Sequence, residues 1–396
     1  MTITEEQKNI VRSTAPVLKE NGKEITSIFY RNLFAAHPEL INYFNQTNQK
    51  IGTQPLALAN TVYFAAENID HLDVLMPQIK LIAHKHRALL VKPEHYPIVG
   101  KYLLGGIKEF LGEQATDEIL DAWSAAYGII ANIFIDIEKE LYEQLGPDER
   151  DQGFIPFTIV KKENVASGPI VALTLQRQDG GKMMSYQAGQ YLTVRIPKDG
   201  FSHHRHYSLI EPFDNKTYRI AIKDEVEREP KGVVSNEIID KYHEGDTILA
   251  SLPAGTFTLV KGDQDHLFIA GGIGITVLSS MVRELNSQGK AGRATLIHCV
   301  QTRDHAAFAD DMQSILGKDR FHLFAQDQRL DKATLLKVLQ PGTHVYICGS
   351  IPFMNKMSDL LGECGHPSSH IHTEAFEPSL SMIRGAVKDQ SITQSL

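Results

Sequence analysis

Hydrophobic and polar residues follow three different patterns along the chain, and each pattern indicates a different kind of structure. From residue 1 to about 145, apolar residues recur at spacings of three and four, which is typical of amphipathic helices. From 154 to about 260 the period shortens to two, the pattern of half-buried strands. From 266 onward, short apolar strands alternate with helical segments, which predicts a parallel sheet covered by helices.

Glycine and proline residues divide these sections into individual elements. In the helical section the interruptions are Pro38, Gly52, Pro77, Pro93 and Gly112, which predict several helices joined by short corners. The predicted strands are 191–196 and 218–222 in the second section, then 267–270, 294–300, 321–325 and 345–348 in the third.

Three domains are expected from these changes of pattern. The first is all-α and covers 1–147, the second is antiparallel β and covers 153–261, and the third is α/β and covers 265–378. The clearest linker is 144–153, and 379–396 is polar and aperiodic, which indicates a loose tail.

Composition narrows the possible classes of protein. The 396 residues are 42% hydrophobic and 22% charged, as in ordinary globular proteins, and the net charge of −8 disfavours a nucleic-acid surface. Three cysteines without a C-x-x-C pair exclude a disulfide framework and fit a reducing compartment. The polar N-terminus lacks the features of a signal peptide, and no apolar stretch approaches the roughly 20 residues of a membrane span. We therefore expect a cytoplasmic protein without integral membrane association.

One histidine of the helical section faces the core. On a helical wheel, His86 shares a stripe with Ile79 and Ile82, while His84 is turned about 200° away. A histidine on an apolar stripe is more often a satisfied core residue than a ligand, so this pattern alone favours the plain interpretation.

A carboxylate on the last helix of this section changes that balance. In the segment 118–142, Glu138 continues the apolar stripe of Trp123, Ile130 and Phe134, and a buried carboxylate is costly unless it is paired. A metal-bound imidazole is one suitable partner, because its second nitrogen can donate to the carboxylate. Tyr96 could join the same network, and a glutamate that extends towards solvent at a helix end remains the alternative.

Several segments of the helical section resemble the globin domain of flavohaemoglobins, in particular the fungal members. They are Phe29-Tyr30, 37–40, Phe44, Gln54, 83–86 and 92–100. The resemblance implies an all-α globin fold with haem b, in which His86 is the proximal ligand of the iron and Tyr96 and Glu138 support it.

The same resemblance assigns roles to residues around the other face of the haem. Phe44 would pack against the porphyrin, Tyr30 and Gln54 would line the distal side, and Leu58 would close the pocket above the iron. A tyrosine hydroxyl in this place can donate a hydrogen bond to bound dioxygen. Lys85 lies beside His86 in sequence but faces away from its stripe, so it could contact the flavin or a haem propionate, with a solvated surface lysine as the alternative.

The β section carries the motif Arg205-His-Tyr-Ser-Leu209, which resembles that of flavin reductases of the ferredoxin-reductase type. The segments 189–191, 232–236 and 253–257 accompany it in the family's order. The resemblance implies an antiparallel β-barrel that binds FAD, with Arg205 on the pyrophosphate, Tyr207 against the isoalloxazine and Ser208 near its N5. The complete implied FAD set is Tyr191, Arg205, His206, Tyr207, Ser208, Gly232, Val233, Val234 and Ser235.

A metal cluster of His203, His204 and His206 is the competing interpretation of this region. Adjacent residues on a strand point to opposite faces, and no acidic or cysteine partner is close in sequence. The flavin interpretation is therefore preferred.

The third section contains an apolar strand followed by the glycine-rich turn Gly271-Gly-Ile-Gly-Ile-Thr276. Such a turn lets a phosphate approach the backbone amides of a helix start. It resembles the G-G-x-G-x-T turn of the reductase family, with Val277 in place of the usual proline. Two later motifs, 348–349 and 374–378, also resemble that family, with Ser350 in place of another proline. The implied NAD(P)H-side and flavin-covering residues are Gly272, Ile273, Gly274, Ile275, Thr276, Cys348, Gly349 and Phe376.

Together the resemblances span residues 1 to about 378 and imply one enzyme. Hydride would pass from NAD(P)H to FAD and single electrons to haem, so that nitric oxide and dioxygen become nitrate. Two alternatives stay open: an oxygen-binding or sensing globin kept ferrous by its reductase, and a haem-independent flavin reductase. Arg303 could meet the 2′-phosphate of NADPH or be a surface arginine. The expected partners are small molecules, and we expect a monomer.

Overall fold

The computed structural model describes residues 3–146, 153–168, 170–224, 231–325 and 328–376. The predicted tail 379–396, most of the predicted linker and residues 377–378 lie outside the described residues. The chain forms two compact units, one that contains the helices up to Gly153 and one that contains most of the two sheets from Phe154 onward.

The first unit is built from α-helices, as the period of three to four predicts. They are α1 (Glu5–Ala36), α2 (Gln46–Lys50), α3 (Thr53–Glu67), α4 (Met76–Leu89), α5 (His95–Leu111) and α6 (Asp117–Glu143). Helix α1 begins with a capping box between Thr4 and Gln7. It packs closely on α3, since a Cβ at Gly22 would meet the Cβ of Ala59 at 2.7 Å.

Helix α6 requires one correction to the sequence analysis. No apolar stretch was expected to approach the length of a membrane span, yet α6 is long and apolar enough by length and composition. A helix in the core of a folded domain can have the same length and apolar composition. Trp123, Ala126 and Phe134 of α6 are each at most 6% exposed and belong to the hydrophobic core of this unit.

The first sheet is antiparallel, as the period of two predicts. Its strands are β1 (Ile155–Asn164), β2 (Ile170–Arg177), β3 (Tyr191–Lys198), β4 (Phe201–Ser208), β5 (Tyr218–Lys223) and β6 (Thr247–Ala250). Their order is β4-β3-β6-β1-β2-β5. A bridge between Leu209 and Ile220 joins the two ends of this order, so the sheet closes on itself and the expected barrel is confirmed. Helix α7 (Val233–Lys241) follows β5.

The second sheet is parallel and covered by helices. Its strands are β7 (His266–Gly271), β8 (Ala294–Val300), β9 (Phe321–Ala325), β10 (His344–Cys348) and β11 (Ile371–Glu374), in the order β11-β10-β7-β8-β9. The helices are α8 (Ile275–Ser287), α9 (Ala309–Leu316), α10 (Lys332–Val338) and α11 (Ile351–Glu363). Strands β7 and β10 are almost wholly buried, as expected for a sheet covered on both faces. The edge strand β11 was not predicted from the sequence.

Candidate functional site

Three side chains from three helices meet beside α4. The Nδ1 atom of His86 lies 2.7 Å from Oε1 of Glu138, and the Tyr96 hydroxyl donates to the same oxygen at 2.5 Å. The Tyr96 hydroxyl also lies 3.0 Å from Nδ1 of His86. Glu138 is 4% exposed, so this carboxylate is buried and its two donors compensate for its burial.

This arrangement fixes which nitrogen of His86 can bind a metal. A carboxylate only accepts hydrogen bonds, so Nδ1 carries the hydrogen and Nε2 keeps its lone pair. The His86 side chain is 30% exposed, so the ring is not sealed in the core. A buried carboxylate behind the ring makes such a ligand more electron-donating.

Tyr96 is itself held in place by a residue that sequence reasoning did not assign to the site. The Tyr127 hydroxyl donates to the backbone carbonyl of Tyr96 at 2.7 Å. The Tyr127 ring fits only because residue 100 is glycine, where a Cβ would meet Cε1 of Tyr127 at 2.5 Å. Burial and the Glu138 carboxylate raise the pKa of Tyr96, so its hydroxyl remains a donor.

Three of the four residues expected on the distal side also come together. The rings of Tyr30 and Phe44 pack edge to face with centroids 5.3 Å apart, and Leu58 packs against the same apolar cluster. Burial raises the pKa of Tyr30, so this hydroxyl stays protonated. The Oε1 atom of Gln54 is buried and has no hydrogen-bond partner among the described residues.

These features fit a haem. The histidine keeps the lone pair of one nitrogen for a metal, and the aromatic cluster supplies an apolar wall. The buried Gln54 oxygen without a partner fits a pocket that receives a polar group. Lys85, the remaining residue assigned to this unit, is half-buried on α4.

Two of the segments expected to bind FAD lie side by side in the second unit. Tyr191 and Ala254 exchange backbone hydrogen bonds of 2.9 Å, and Gln190 Nε2 donates to the Gly255 carbonyl at 3.0 Å. Gly189 is required here, because a Cβ would meet the Phe257 carbonyl oxygen at 1.9 Å and its φ is +103°.

Strand β4 presents the arginine-tyrosine motif. Alternation along the strand separates Arg205 and Tyr207, on one face, from His206 and Ser208 on the other. The His206 ring packs on Tyr191 at 4.7 Å, and its Nδ1 lies 2.8 Å from the Thr193 hydroxyl. Ser208 is 7% exposed at the end of the strand.

The expected second phosphate segment begins helix α7. Gly232 is its N-cap, and Val233, Val234 and Ser235 form the first turn, where backbone amides have no partner inside the helix. Val234 is 1% exposed, so its side chain anchors this first turn, and the backbone amides of a helix start can bind an anion. A helix start of this kind fits the phosphate of a nucleotide such as FAD.

The glycine turn after β7 has a supporting residue that the sequence did not reveal. Gly272 has φ +53° and open space where a Cβ would be, and it begins a 3-10 turn that ends at Gly274. His298, fully buried on β8, lies with Nε2 3.0 Å from the Gly272 carbonyl oxygen. Burial lowers the pKa of His298 to about 4, so a neutral ring donates this bond.

The other residues assigned to the nicotinamide side surround this turn. A Cβ at Gly274 would meet the Cys348 carbonyl at 2.2 Å, so the turn packs directly on the end of β10 and on Gly349. Ile275 and Thr276 are buried in the first turn of α8, whereas Ile273 is half-buried. The Cys348 thiol is fully buried, and Phe376, beyond β11, is 48% exposed.

Comparison with known proteins agrees with this division. A globin family model matches residues 27–134, an oxidoreductase FAD-binding domain matches 156–259, and an oxidoreductase NAD-binding domain matches 268–359. The matched ranges end short of the domain boundaries predicted from the sequence, so those boundaries stay predictions.

Similar proteins are known over the full length. The flavohemoprotein of Halalkalibacterium halodurans is 38% identical, covering 96% of this chain and 98% of that relative. The flavohemoprotein of Bacillus subtilis is 40% identical, with 94% and 97% covered. A crystal structure of flavohemoglobin from the fungus Malassezia yamatoensis, with bound FAD and heme, has a TM-score of 0.84 at 27% identity and covers 94% of this chain and 99% of that one.

Fold and comparisons together define a haem-binding globin joined to an FAD- and NAD-dependent oxidoreductase. The length over which the relatives match makes the assignment more specific. The chain belongs to the flavohemoprotein family.

Proposed function

We propose that this flavohemoprotein is an NAD(P)H-dependent nitric oxide dioxygenase. The observation that carries the proposal is the buried Glu138 carboxylate, 2.7 Å from Nδ1 of His86. Reversible oxygen binding needs a proximal histidine, but it does not need a buried anion behind that histidine. The anion strengthens the electron donation that dioxygen activation requires.

When bound, the cofactors would supply the redox chemistry: FAD would convert the two-electron supply of NAD(P)H into single electrons, and haem would supply the iron centre for dioxygen and nitric oxide. The balance is one NAD(P)H, two nitric oxide and two dioxygen molecules consumed for two nitrates, one NAD(P)+ and one proton.

The residues of the helical unit then have distinct proposed roles. His86 would bind the iron through Nε2, and Glu138 and Tyr96 hold its ring and keep the hydrogen on Nδ1. The protonated Tyr30 hydroxyl and the Nε2 amide of Gln54 would donate hydrogen bonds to dioxygen, and Phe44 and Leu58 would restrict the space around it. Lys85 is proposed to sit near a propionate or the flavin.

The residues of the reductase unit bind and orient the two nucleotides. The proposed flavin contacts are Tyr191, Arg205, His206, Tyr207, Ser208, the segment 232–235, and Phe376 as a cover. The turn 272–276, with Cys348 and Gly349 beside it, is proposed to hold NAD(P)H. Arg205 suits the FAD pyrophosphate, because a guanidinium can bind phosphate oxygens in a bidentate way.

The test is a nitric oxide electrode measurement on the purified protein with NADH and air, together with nitrate quantification. We expect rapid nitric oxide loss with one nitrate for each nitric oxide, and loss of this activity in His86→Ala. Oxidation of NADH without nitric oxide consumption would reject the proposal in favour of a plain flavin reductase. Stable oxygen binding without nitrate would favour an oxygen-binding globin.

We further propose that the protein is cytoplasmic and monomeric. Its three cysteines, Cys299, Cys348 and Cys364, are free thiols, which fits a reducing compartment. Sedimentation of the haem- and FAD-loaded protein tests the monomer, which a dimer mass would contradict.

A further inference from the structure

Helix α8 carries a buried arginine that contacts the barrel. The Arg283 side chain is 8% exposed. Its Nη1 donates to the backbone carbonyl of Ile210 at 3.0 Å, its Nη2 donates to Oδ2 of Asp311 at 2.8 Å, and its Nε lies 3.4 Å from Oε2 of Glu211. A buried charge is costly unless it is paired, and two carboxylates with one carbonyl meet that requirement here. Arg283 therefore joins α8 both to α9, which carries Asp311, and to the barrel.

The arginine's two partners in the barrel are held in place beyond the end of strand β4. Ile210 and Glu211 lie just after the proposed flavin segment 205–208. The Ile210 amide donates to the Arg219 carbonyl at 2.9 Å, and the Glu211 carboxylate pairs with the Arg219 guanidinium. The Tyr186 hydroxyl donates to the Glu211 carbonyl at 2.6 Å. A contact at this point of the chain therefore acts on the segment that is proposed to bind the flavin.

One turn earlier, the same side of α8 contacts a second proposed flavin segment, 189–191. The backbone amide of Gly189 donates to the Ser280 hydroxyl at 3.1 Å, and Ser280 is fully buried. Residues three apart on a helix lie on one side of it, so Ser280 and Arg283 face the barrel together. Helix α8 is thus tied to both segments of the barrel.

The start of α8 is the turn that is proposed to hold NAD(P)H. The turn 272–274 leads directly into Ile275, the first residue of the helix. At a rise of 1.5 Å per residue, Ser280 lies about 8 Å and Arg283 about 12 Å along the helix from Ile275. Because a helix moves as a rigid element, a tilt or shift of α8 against the barrel would displace the nucleotide turn relative to both flavin segments.

A strained residue packs on the guanidinium. The Cζ atom of Arg283 lies 4.9 Å from the centroid of the Phe308 ring, a cation–π contact. Phe308 has a φ of +59°, a left-handed conformation that is unfavourable for a bulky side chain. Its backbone amide donates to the carbonyl of Val165, between β1 and β2, at 3.1 Å. Such strain persists only where the surroundings enforce it, so the chain beside Arg283 is held firmly against the barrel.

We propose that Arg283 is a positioning residue for hydride transfer from NAD(P)H to FAD. It holds α8 against the barrel, so that the nucleotide turn and the flavin segments keep the separation that the transfer requires. In that step one NAD(P)H and one FAD give one NAD(P)+ and one FADH−, with transfer of one hydride. The proposal rests on the part of the proposed function that concerns the two nucleotides, and it does not depend on the nitric oxide chemistry.

The test is anaerobic stopped-flow reduction of the full-length, haem- and FAD-loaded protein by NADH, followed at the flavin absorbance and scaled to the FAD content. Its dependence on NADH concentration separates the limiting rate of flavin reduction from the apparent dissociation constant of NADH. In Arg283→Met we expect the limiting rate to fall by about 10–100-fold, since a displacement of about 1 Å can cost about 100-fold. The dissociation constant should change less, because Arg283 is outside the proposed NADH contacts. Arg283→Lys, which keeps the charge, should recover part of the rate.

Spectroscopy provides a second measurement that needs no turnover. A tetrahydro derivative of NADH, which cannot give up a hydride, is added to the oxidised protein. Stacking of its ring on the flavin produces a charge-transfer absorbance band. We expect this band in the wild-type protein and a weaker one at saturation in Arg283→Met, because the two rings no longer meet in the same geometry.

The matched control is Arg293→Met, which removes an arginine that pairs with Asp265 at 3.5 Å and is 48% exposed. It should leave the limiting rate and the band unchanged. Should Arg283→Met fail to fold or to bind FAD, Asp311→Asn takes its place, because it removes one carboxylate partner of Arg283 and should lower both readouts to a smaller extent.

The proposal is overturned if the variant that folds keeps the wild-type rate and band, or if Arg293→Met lowers them equally. A wild-type protein whose FAD is not reduced by NADH would overturn the proposed function as well. The two failures are therefore distinguished by the behaviour of the wild type.

Discussion

Two histidines, one in each unit, donate to different kinds of partner. In the helical unit, Nδ1 of His86 faces the Glu138 carboxylate at 2.7 Å. In the reductase unit, Nε2 of His298 faces only the neutral carbonyl of Gly272, at 3.0 Å. Both rings donate a hydrogen bond, but only the first has an anion behind it.

The difference corresponds to the work each ring is proposed to do. A carboxylate partner increases the basicity of the ring's other nitrogen, which suits a ligand of iron. A carbonyl partner in a dry core keeps the imidazole neutral and uses it as a fixed donor, which suits the support of a tight turn. In this protein, the partner of a histidine therefore distinguishes a chemical role from a structural one.

The largest expected effect comes from removal of the anion in Glu138→Gln. The amide keeps the size of the side chain and can accept from His86 through its oxygen, so the ring stays near its place while the negative charge is lost. We expect turnover of nitric oxide to fall by about 10–100-fold, as for other partners of metal ligands. Stopped-flow kinetics measures this, and the iron–histidine stretching frequency in the ferrous protein should fall with it.

Glu140→Gln is the matched control, because Glu140 lies two residues further along the same helix, about 200° around it from Glu138, and is exposed. It should leave both the turnover and the stretching frequency unchanged. Unchanged frequency in Glu138→Gln would contradict the contrast between the two histidines, whatever happens to turnover.

A smaller effect is expected on the stability of the reductase unit when the pH is lowered. An unfolded histidine binds a proton near pH 6.5, whereas burial lowers the pKa of folded His298 to about 4. Between these values folding releases a proton, so the contribution of His298 to stability is complete above pH 6.5 and declines as the pH falls towards 4. The decline is at most about 1.4 kcal/mol per pH unit for one group.

Urea unfolding followed by flavin fluorescence between pH 7 and 5 measures this dependence. His298→Leu should be less stable at pH 7, since the Gly272 carbonyl loses its donor, and it should lose less stability on acidification than the wild type. A variant with the wild-type slope would show that His298 does not remain neutral. His243→Asn, a change at an exposed position, should behave as the wild type.

The contrast also explains what the sequence could predict. Glu138 and His86 each stood on an apolar stripe of a long helix, and helical period alone places such residues towards a core. The partner of His298 depends on which strands are neighbours in the sheet, and no local pattern carries that information. Strand β11 was missed for the same reason, since its four residues Ile371–Glu374 gain their structure from pairing with β10. The roles of the site residues, which rest on the family resemblance, stay predictions.

The smallest expected effect is that of Tyr127→Phe. This change tests whether the support that Tyr127 gives to Tyr96 affects His86 as the charge of Glu138 does. The Tyr127 hydroxyl donates to the backbone carbonyl of Tyr96 and not to Glu138 or His86. Its removal should lower the free energy of unfolding of the helical unit by about 1 kcal/mol, the usual value for one hydrogen bond. Turnover and the iron–histidine stretching frequency should remain close to those of the wild type. If Tyr127→Phe lowered that frequency as much as Glu138→Gln does, the position of Tyr96, rather than the charge of Glu138, would govern the proximal histidine.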